Sequence, residues 1–298
     1  MTNRLLWIVA ALGIAGDALA QDLPEPPFTF HTRSFESGEV WKLTSRYESV
    51  MSIKIGAAAA PAAETLGAKE KNREAVELTL RRLATRDDWP QWNLVYGERV
   101  AQIDVPFFGP KTITSSLSNR TFELFGPANA RTIHGDGHAV SEREARIIEA
   151  DVARVWSENA FVARLAGASV EPGQILDLKA DEALALFGPL AREYAKVDAQ
   201  SVQLTACRGI DCEGIAAVLF HLSAKVSGEV RGDESPLRLS GSLHGEVTVT
   251  LDGARVLSIE ARGPLDARHD AETEDGEPAI QIRGKGQAVV GRVFLPVR

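Results

Sequence analysis

The 298-residue chain carries 33 Lys and Arg against 41 Asp and Glu, a formal net charge of −8. That balance works against nucleic acid and against anionic membrane surfaces, both of which reward clustered Lys and Arg, and leaves neutral or basic partners. With 44 % hydrophobic residues the chain can build a large core, so neither a metal nor a disulfide is needed for it to fold.

The chain opens with Arg4, a ten-residue apolar run from Leu5 to Ile14, and small residues ending Ala18-Leu19-Ala20. This is the pattern of a secretory signal peptide over residues 1–20, cleaved before Gln21. The run is too short for a membrane anchor, because roughly 20 apolar residues are needed to span a bilayer and Asp17 closes this one early. No cysteine follows the cleavage site, so lipid attachment is not expected. The mature chain, 21–298, is read as one exported α+β domain without a transmembrane anchor, periplasmic in a Gram-negative cell.

Residues 41–55 alternate: Trp41, Leu43, Tyr47, Met51, Ile53 and Ile55 share one face, and Lys42, Thr44, Arg46, Glu48 and Lys54 the other. Period two over this length predicts a long, half-buried strand. An Ala/Pro-rich hairpin tip at 56–68 leads to return strands at 73–86 (Val76, Leu78 and Leu80 inward) and 92–103 (Trp92, Leu94 and Tyr96 inward). Shorter strands are expected at 111–117, 120–125 and 130–134, completing an N-terminal β region over 28–135.

His134-Gly-Asp-Gly-His138 has two histidines at metal-like spacing, but its glycines supply the positive φ angles of a tight turn, and no second ligand group lies nearby. A turn into a helix is the reading, with no metal site. At Ser141 the period changes: Ala145, Ile148, Val152, Val155, Asn159 and Val162 recur at three- and four-residue steps. Ser141 and Glu144 form a capping box. Gly167 ends this helix, EPGQILDL makes a turn and short strand, and Asp181 caps a second helix that stops at Gly188, within a helical segment over 141–195.

β structure returns over 200–296. The only cysteines, Cys207 and Cys212, flank Arg-Gly-Ile-Asp, and in an oxidising compartment this reads as a disulfide across the mouth of a hairpin, stabilising by about 2 kcal/mol. Direct pairing of the two would set Leu204 opposite Ile215. Residues 237–251 alternate cleanly, Asp252-Gly253 turns the chain, and a last strand runs over 279–295. Strands, then helices, then strands, without βαβ alternation, means mainly antiparallel α+β, as a β-meander, central helices and a second β-meander.

Catalytic patterns are missing: no G-x-S-x-G, S-x-x-K or H-E-x-x-H occurs, and the cysteine pair is not C-x-x-C. The acidic stretch 266–278 lacks the residue order of a calcium loop and reads as an exposed hairpin loop. Arg-Gly-Lys-Gly-Gln, 283–287, reads as a kinked strand. No catalytic residue, cofactor or metal is therefore assigned, and the chain is not read as an enzyme.

A signal peptide, long antiparallel strands, central helices and further long strands resemble, in element order, the periplasmic lipoprotein carriers, whose open half-barrel wraps helices around a greasy cavity. The cadence Val170-Glu-Pro-Gly-Gln-Ile-Leu-Asp-Leu178 is also similar to that of exported bacterial proteins without an assigned activity. The resemblance implies a curved half-barrel and a non-catalytic envelope protein holding a lipid or other apolar ligand between sheet and helix, lined by Ile148, Val152 and Trp156. The alternative is a solid-cored interaction or structural module with an envelope protein as partner.

Overall fold

The computed structural model describes residues 23–56, 66–83, 91–105, 109–126, 132–137, 139–152, 160–187, 195–230, 237–272 and 278–297. The expected signal peptide, Trp156, His138 and Gly188 lie outside them. In chain order the strands are β1 (Phe28–Thr29), β2 (Val40–Gly56), β3 (Leu66–Arg82), β4 (Gln91–Val105), β5 (Gly109–Thr114), β6 (Thr121–Phe125) and β7 (Thr132–Gly135). The helices α1 (Glu142–Val152) and α2 (Ala160–Leu165) follow, then β8 (Ser169–Val170), β9 (Ile175–Leu178) and helix α3 (Ala180–Phe187). The long strands β10 (Ala195–Cys212), β11 (Ile215–Val230), β12 (Leu237–Thr250), β13 (Val256–Glu272) and β14 (Pro278–Pro296) complete the chain.

The two β regions are one sheet. Its order is β7-β6-β4-β3-β2-β14-β13-β12-β11-β10-β9, with β5 also on β4, twelve antiparallel strands that do not close into a barrel. The seam is β14 on β2, paired from Gln281 opposite Gly56 to Pro296 opposite Trp41. The predicted inward face of β2 is the buried one at Trp41, Leu43, Tyr47, Met51 and Ile53. Charged groups such as Lys42, Arg46, Glu260, Arg262, His221 and Lys225 occupy the other face. A sheet that faces lipid carries an apolar band outward; this one carries its apolar residues inward and its charges outward, the pattern of a sheet facing water.

Glycines on the inward face let the sheet coil. A Cβ on Gly245 of β12 would lie 1.9 Å from the Glu260 carbonyl oxygen of β13, one on Gly263 1.9 Å from that of Ser242, and one on Gly286 of β14 2.0 Å from that of Val50. Only hydrogen fits where these backbones converge, so the glycines run diagonally across β12, β13 and β14 as a bend line.

Two apolar clusters fill the concavity. One joins Phe30, Tyr47 and Met51 to the inward residues of β9–β13 and to Phe161, Leu165, Leu186 and Phe187 of α2 and α3. The other joins Phe35, Trp41, Trp92, Leu94 and Phe294 to Ile148 and Val152 of α1 and to Ile210 and Ile215 near the β10–β11 turn. An N-terminal strap, residues 23–35, crosses the strand ends that carry these turns: Phe30 lies 6.3 Å, centroid to centroid, from Phe220 of β11, and the His31 amide donates to the Leu251 carbonyl at 2.8 Å.

Three expectations need correction. Cys207 and Cys212 lie on one strand, β10, and both are free thiols. Five residues of extended chain separate their Cα atoms by on the order of 15 Å, beyond the roughly 7 Å that a disulfide bridges. The turn is instead Glu213-Gly214, both with positive φ (55° and 81°), so Leu204 pairs with Leu222 rather than Ile215. Gly209, which looked like a turn residue, is where the strap touches the sheet: a Cβ there would lie 2.2 Å from the Pro24 carbonyl oxygen. Secondly, α3 is preceded by Lys179, whose amide donates to Glu182 Oε2 at 2.9 Å, and Asp181 lies within the first turn instead of capping it. Thirdly, the acidic stretch that begins at Asp266 is not a loop up to Glu272 but the end of β13, in register with β14.

Gly245→Val is expected to destabilise the fold by about 3 kcal/mol through overpacking against the Glu260 carbonyl. A urea midpoint unchanged from the parent protein would show that the bend line tolerates side chains.

Candidate functional site

The concave face under the helices is the candidate site, and the buried Arg99–Asp151 ion pair is its least expected feature. Trp92, Leu94 and Tyr96 of β4 point inward, and strict alternation would turn Arg99 out to water. A β-bulge intervenes: Val76 of β3 pairs with Arg99 while Leu78 pairs with Tyr96, so Gly97 and Glu98 together oppose Glu77. The bulge shifts the phase and directs Arg99 inward, where it is 1 % exposed.

The segment 115–120 covers the interrupted ladder. Ser118 Oγ accepts from the Arg99 amide at 3.0 Å and donates to the Arg99 carbonyl at 2.8 Å, and the Gly97 carbonyl accepts from the Asn119 amide at 3.0 Å. Asn119 adopts φ 58° to make the turn.

Inside, the Arg99 guanidinium donates to Asp151 Oδ2 of α1, and the Tyr96 hydroxyl donates to the same oxygen at 3.0 Å. Asp151 is 3 % exposed. It lies one helical turn from Ile148 and beside Val152, so the apolar stripe of α1 carries one carboxylate into the core at the point where the bulge supplies a cation. Desolvating two charges offsets much of their attraction, and the pair therefore acts chiefly as a registration device for α1 on β4.

The start of α1 is held as its sequence predicts. The Ser141 amide donates to Glu144 Oε2 at 2.9 Å, and the Glu144 amide donates to Ser141 Oγ at 3.3 Å. The Ser141 amide, then the Ser141 and Ser116 hydroxyls and last Arg120 at 2.8 Å, hold the Glu144 carboxyl below its ordinary range against the opposing effect of burial. Asp136, in the predicted turn, accepts from the Thr121 amide at 3.3 Å and from Arg120. His134 lies on β7 and stacks on Phe125 with ring centroids 5.4 Å apart.

The strap end of the concavity is sealed by aromatic groups. Phe35 meets Trp92 edge-on at 5.0 Å, Trp41 stacks on Phe294 at 4.8 Å, and the Arg255 guanidinium sits 3.7 Å from the Phe35 centroid. Burial lowers the Arg255 pKa, with Glu39 opposing the shift; the guanidinium stays charged and gains a cation–π contact. On the other side of the concavity α3 is held by apolar packing and by Arg292 of β14, whose Nη1 donates to the Leu186 carbonyl at 3.1 Å.

Ile148 and Val152, both 0 % exposed, are brought together within the second apolar cluster. Burial pushes the Cys212 thiol up, and the carboxylates of Glu213 and Asp211 add to the shift, so this thiol is a poor nucleophile at neutral pH. Among the described residues no group of three His, Cys, Asp or Glu side chains could hold a metal ion.

No protein-family model and no curated protein matches the chain. Among solved structures, an outer membrane channel from Pseudomonas putida F1 aligns with 90 % of this chain and 100 % of its own at 8 % identity, with a TM-score of 0.18. A Pseudomonas aeruginosa FadL homologue aligns with 86 % of this chain and 90 % of its own at 9 % identity, with a TM-score of 0.16. Scores this low carry no argument about fold or activity. Among the described residues no helix is long and apolar enough to cross a membrane.

Asp151→Ala should cost about 3–5 kcal/mol by leaving Arg99 buried without its carboxylate, whereas the double variant Arg99→Met, Asp151→Leu should recover most of that loss in urea unfolding. Equal destabilisation by the single and double variants would contradict the registration role. Alkylation of the denatured, unreduced protein should add two groups, one on each cysteine; an unlabelled chain two hydrogens lighter than the reduced mass would require β10 to be rearranged.

Proposed function

We propose that this chain is a non-catalytic exported protein that holds a lipid or other apolar ligand within its open sheet. The observation that carries the reading is the sheet itself: twelve antiparallel strands left unclosed, with an apolar concave face covered by short helices instead of a second sheet. Helices α2 and α3 have six and eight residues, too few to keep helical form away from the sheet they cover. They share the first apolar cluster with Leu204, Phe220, Leu222 and Leu243, so moving them would open that cluster. In this reading the ligand enters beneath α2 and α3, and the lining expected at Ile148 and Val152 offers it a second position in the other cluster.

A second reading is a solid-cored interaction module of the envelope. It draws on the edge of β10: among the described residues β9 pairs only with Val202–Thr205, so Ala195–Ser201 have no strand beside them on that side, a position an added strand could take.

Native mass spectrometry of the protein purified gently from its own compartment, followed by titration of the stripped protein with a polyene fatty acid, separates the two. The carrier reading expects a stoichiometric apolar adduct and saturable one-to-one fluorescence enhancement. A bare mass together with no saturable enhancement would sink it and leave the interaction module.

A further inference from the structure

The strap, residues 23–35, ties the helical cover to the sheet. Phe28 and Thr29 of β1 pair with Val170 and Ser169 of β8, the strand that follows α2, and the Thr29 and Ser169 hydroxyls meet at 2.9 Å. The Phe30 amide donates to the Ala168 carbonyl and the Gly167 amide donates to the Phe30 carbonyl, both at 2.9 Å. One residue on, the strap turns to the sheet. The His31 amide donates to the Leu251 carbonyl and the Gly253 amide donates to the His31 carbonyl, both at 2.8 Å, and His31 bridges Asp252 in parallel. Both backbone groups of Phe30 thus face the cover and both of His31 face the turn after β12, so two adjacent residues join the two.

Between these ties the strap gives the interior two side chains. Phe28 and Phe30, 1 % and 0 % exposed, belong to the first apolar cluster, which also holds the buried faces of α2 and α3. They offer that cluster the same apolar surface that a bound chain would offer. The polar latch beside them is slight. Arg33 donates to Asp252 at 3.1 Å, to Glu36 at 3.1 Å and to Glu39 at 2.9 Å, but it is exposed, and exposed ion pairs contribute little. β1 itself has only two residues. Phe35, by contrast, is fixed among Trp41, Trp92 and Arg255 in the second cluster, which gives a lightly held length of chain a firm end.

We infer that the strap is the gate of the ligand site. Residues 28–33 swing out about Phe35, the Phe28 and Phe30 side chains leave the first cluster, and α2, no longer tied to the turn after β12, moves aside for the incoming chain. The inference rests on the carrier reading of the preceding section. Ligand and phenylalanines compete for one cluster, so the apolar burial lost when the strap leaves is restored by the ligand that replaces it. Entry is then limited by how often the strap opens.

The test is a lock. In a chain carrying Cys207→Ala and Cys212→Ala, the pair His31→Cys, Asp252→Cys sits at the spacing of bridged strands, about 4.8 Å, inside the window a disulfide tolerates. Stopped-flow mixing with the polyene fatty acid should show association about tenfold or more slower in the oxidised than in the reduced form. The reduced form, which lacks the Arg33 partner Asp252, should bind at least as fast as the cysteine-free parent. Equal rates in the two forms would overturn the gate. Hydrogen exchange reads the same motion without ligand: the amides of Phe30, His31, Gly167 and Gly253 should exchange together, ahead of the paired amides of β11, and become protected in the oxidised form. Exchange of these four as separate groups, or as slowly as β11, would also overturn it. The two failures are distinguishable: fatty acid bound as fast by the locked protein defeats the gate alone, whereas no binding by the cysteine-free parent defeats the carrier and the gate with it.

Discussion

The antiparallel pairing of β14 with β2 holds the molecule together, because it is where the last strand of one meander meets the first long strand of the other. Without it there would be two smaller sheets, each with an apolar face to cover. With it, one face runs across twelve strands and needs a single set of helices. The contact joins residues more than two hundred positions apart, so its loop-closure entropy must be offset by the packing that follows. That packing depends on the seam: Phe294 of β14 stacks on Trp41 of β2, and Phe35, Trp92 and Arg255 assemble around them.

Coiling gives the joined sheet an inside. The diagonal of Gly245, Gly263 and Gly286 lets backbones approach where any side chain would hold them apart, and the apolar face becomes concave as a result. The helices then fill the concavity in two ways. Helix α1 is registered by a buried charge pair against the β4 bulge, whereas α2 and α3 rest mainly on apolar contact, supplemented by the Arg292 hydrogen bond to Leu186. Apolar contact is non-directional and can be exchanged for contact with a ligand; a charge pair cannot be separated so readily without leaving an uncompensated charge. The outside follows another logic: the convex face mixes signs, as at Lys42 with Glu77.

Local pattern was enough to locate most elements. Alternation placed β2 and β12 to within a residue or two, Asp252-Gly253 marked a turn, and Ser141 with Glu144 marked the start of α1, because each depends on residues close in sequence. Gly97 in mid-strand was the available sign of the β4 bulge, but a glycine alone does not say that Arg99 will be turned inward to meet Asp151. Glu213-Gly214 was hidden by the more conspicuous cysteine pair, and Gly209 acquires its meaning only from Pro24 arriving across it. By itself, then, the sequence determined the strands, their apolar faces and the helix cap, all set by steric and hydrogen-bonding preferences over a few neighbouring residues. Tertiary structure alone decided which strands pair, which charges meet inside and which line up outside, because a register between distant strands is chosen by burial across the whole sheet and not by any segment within it.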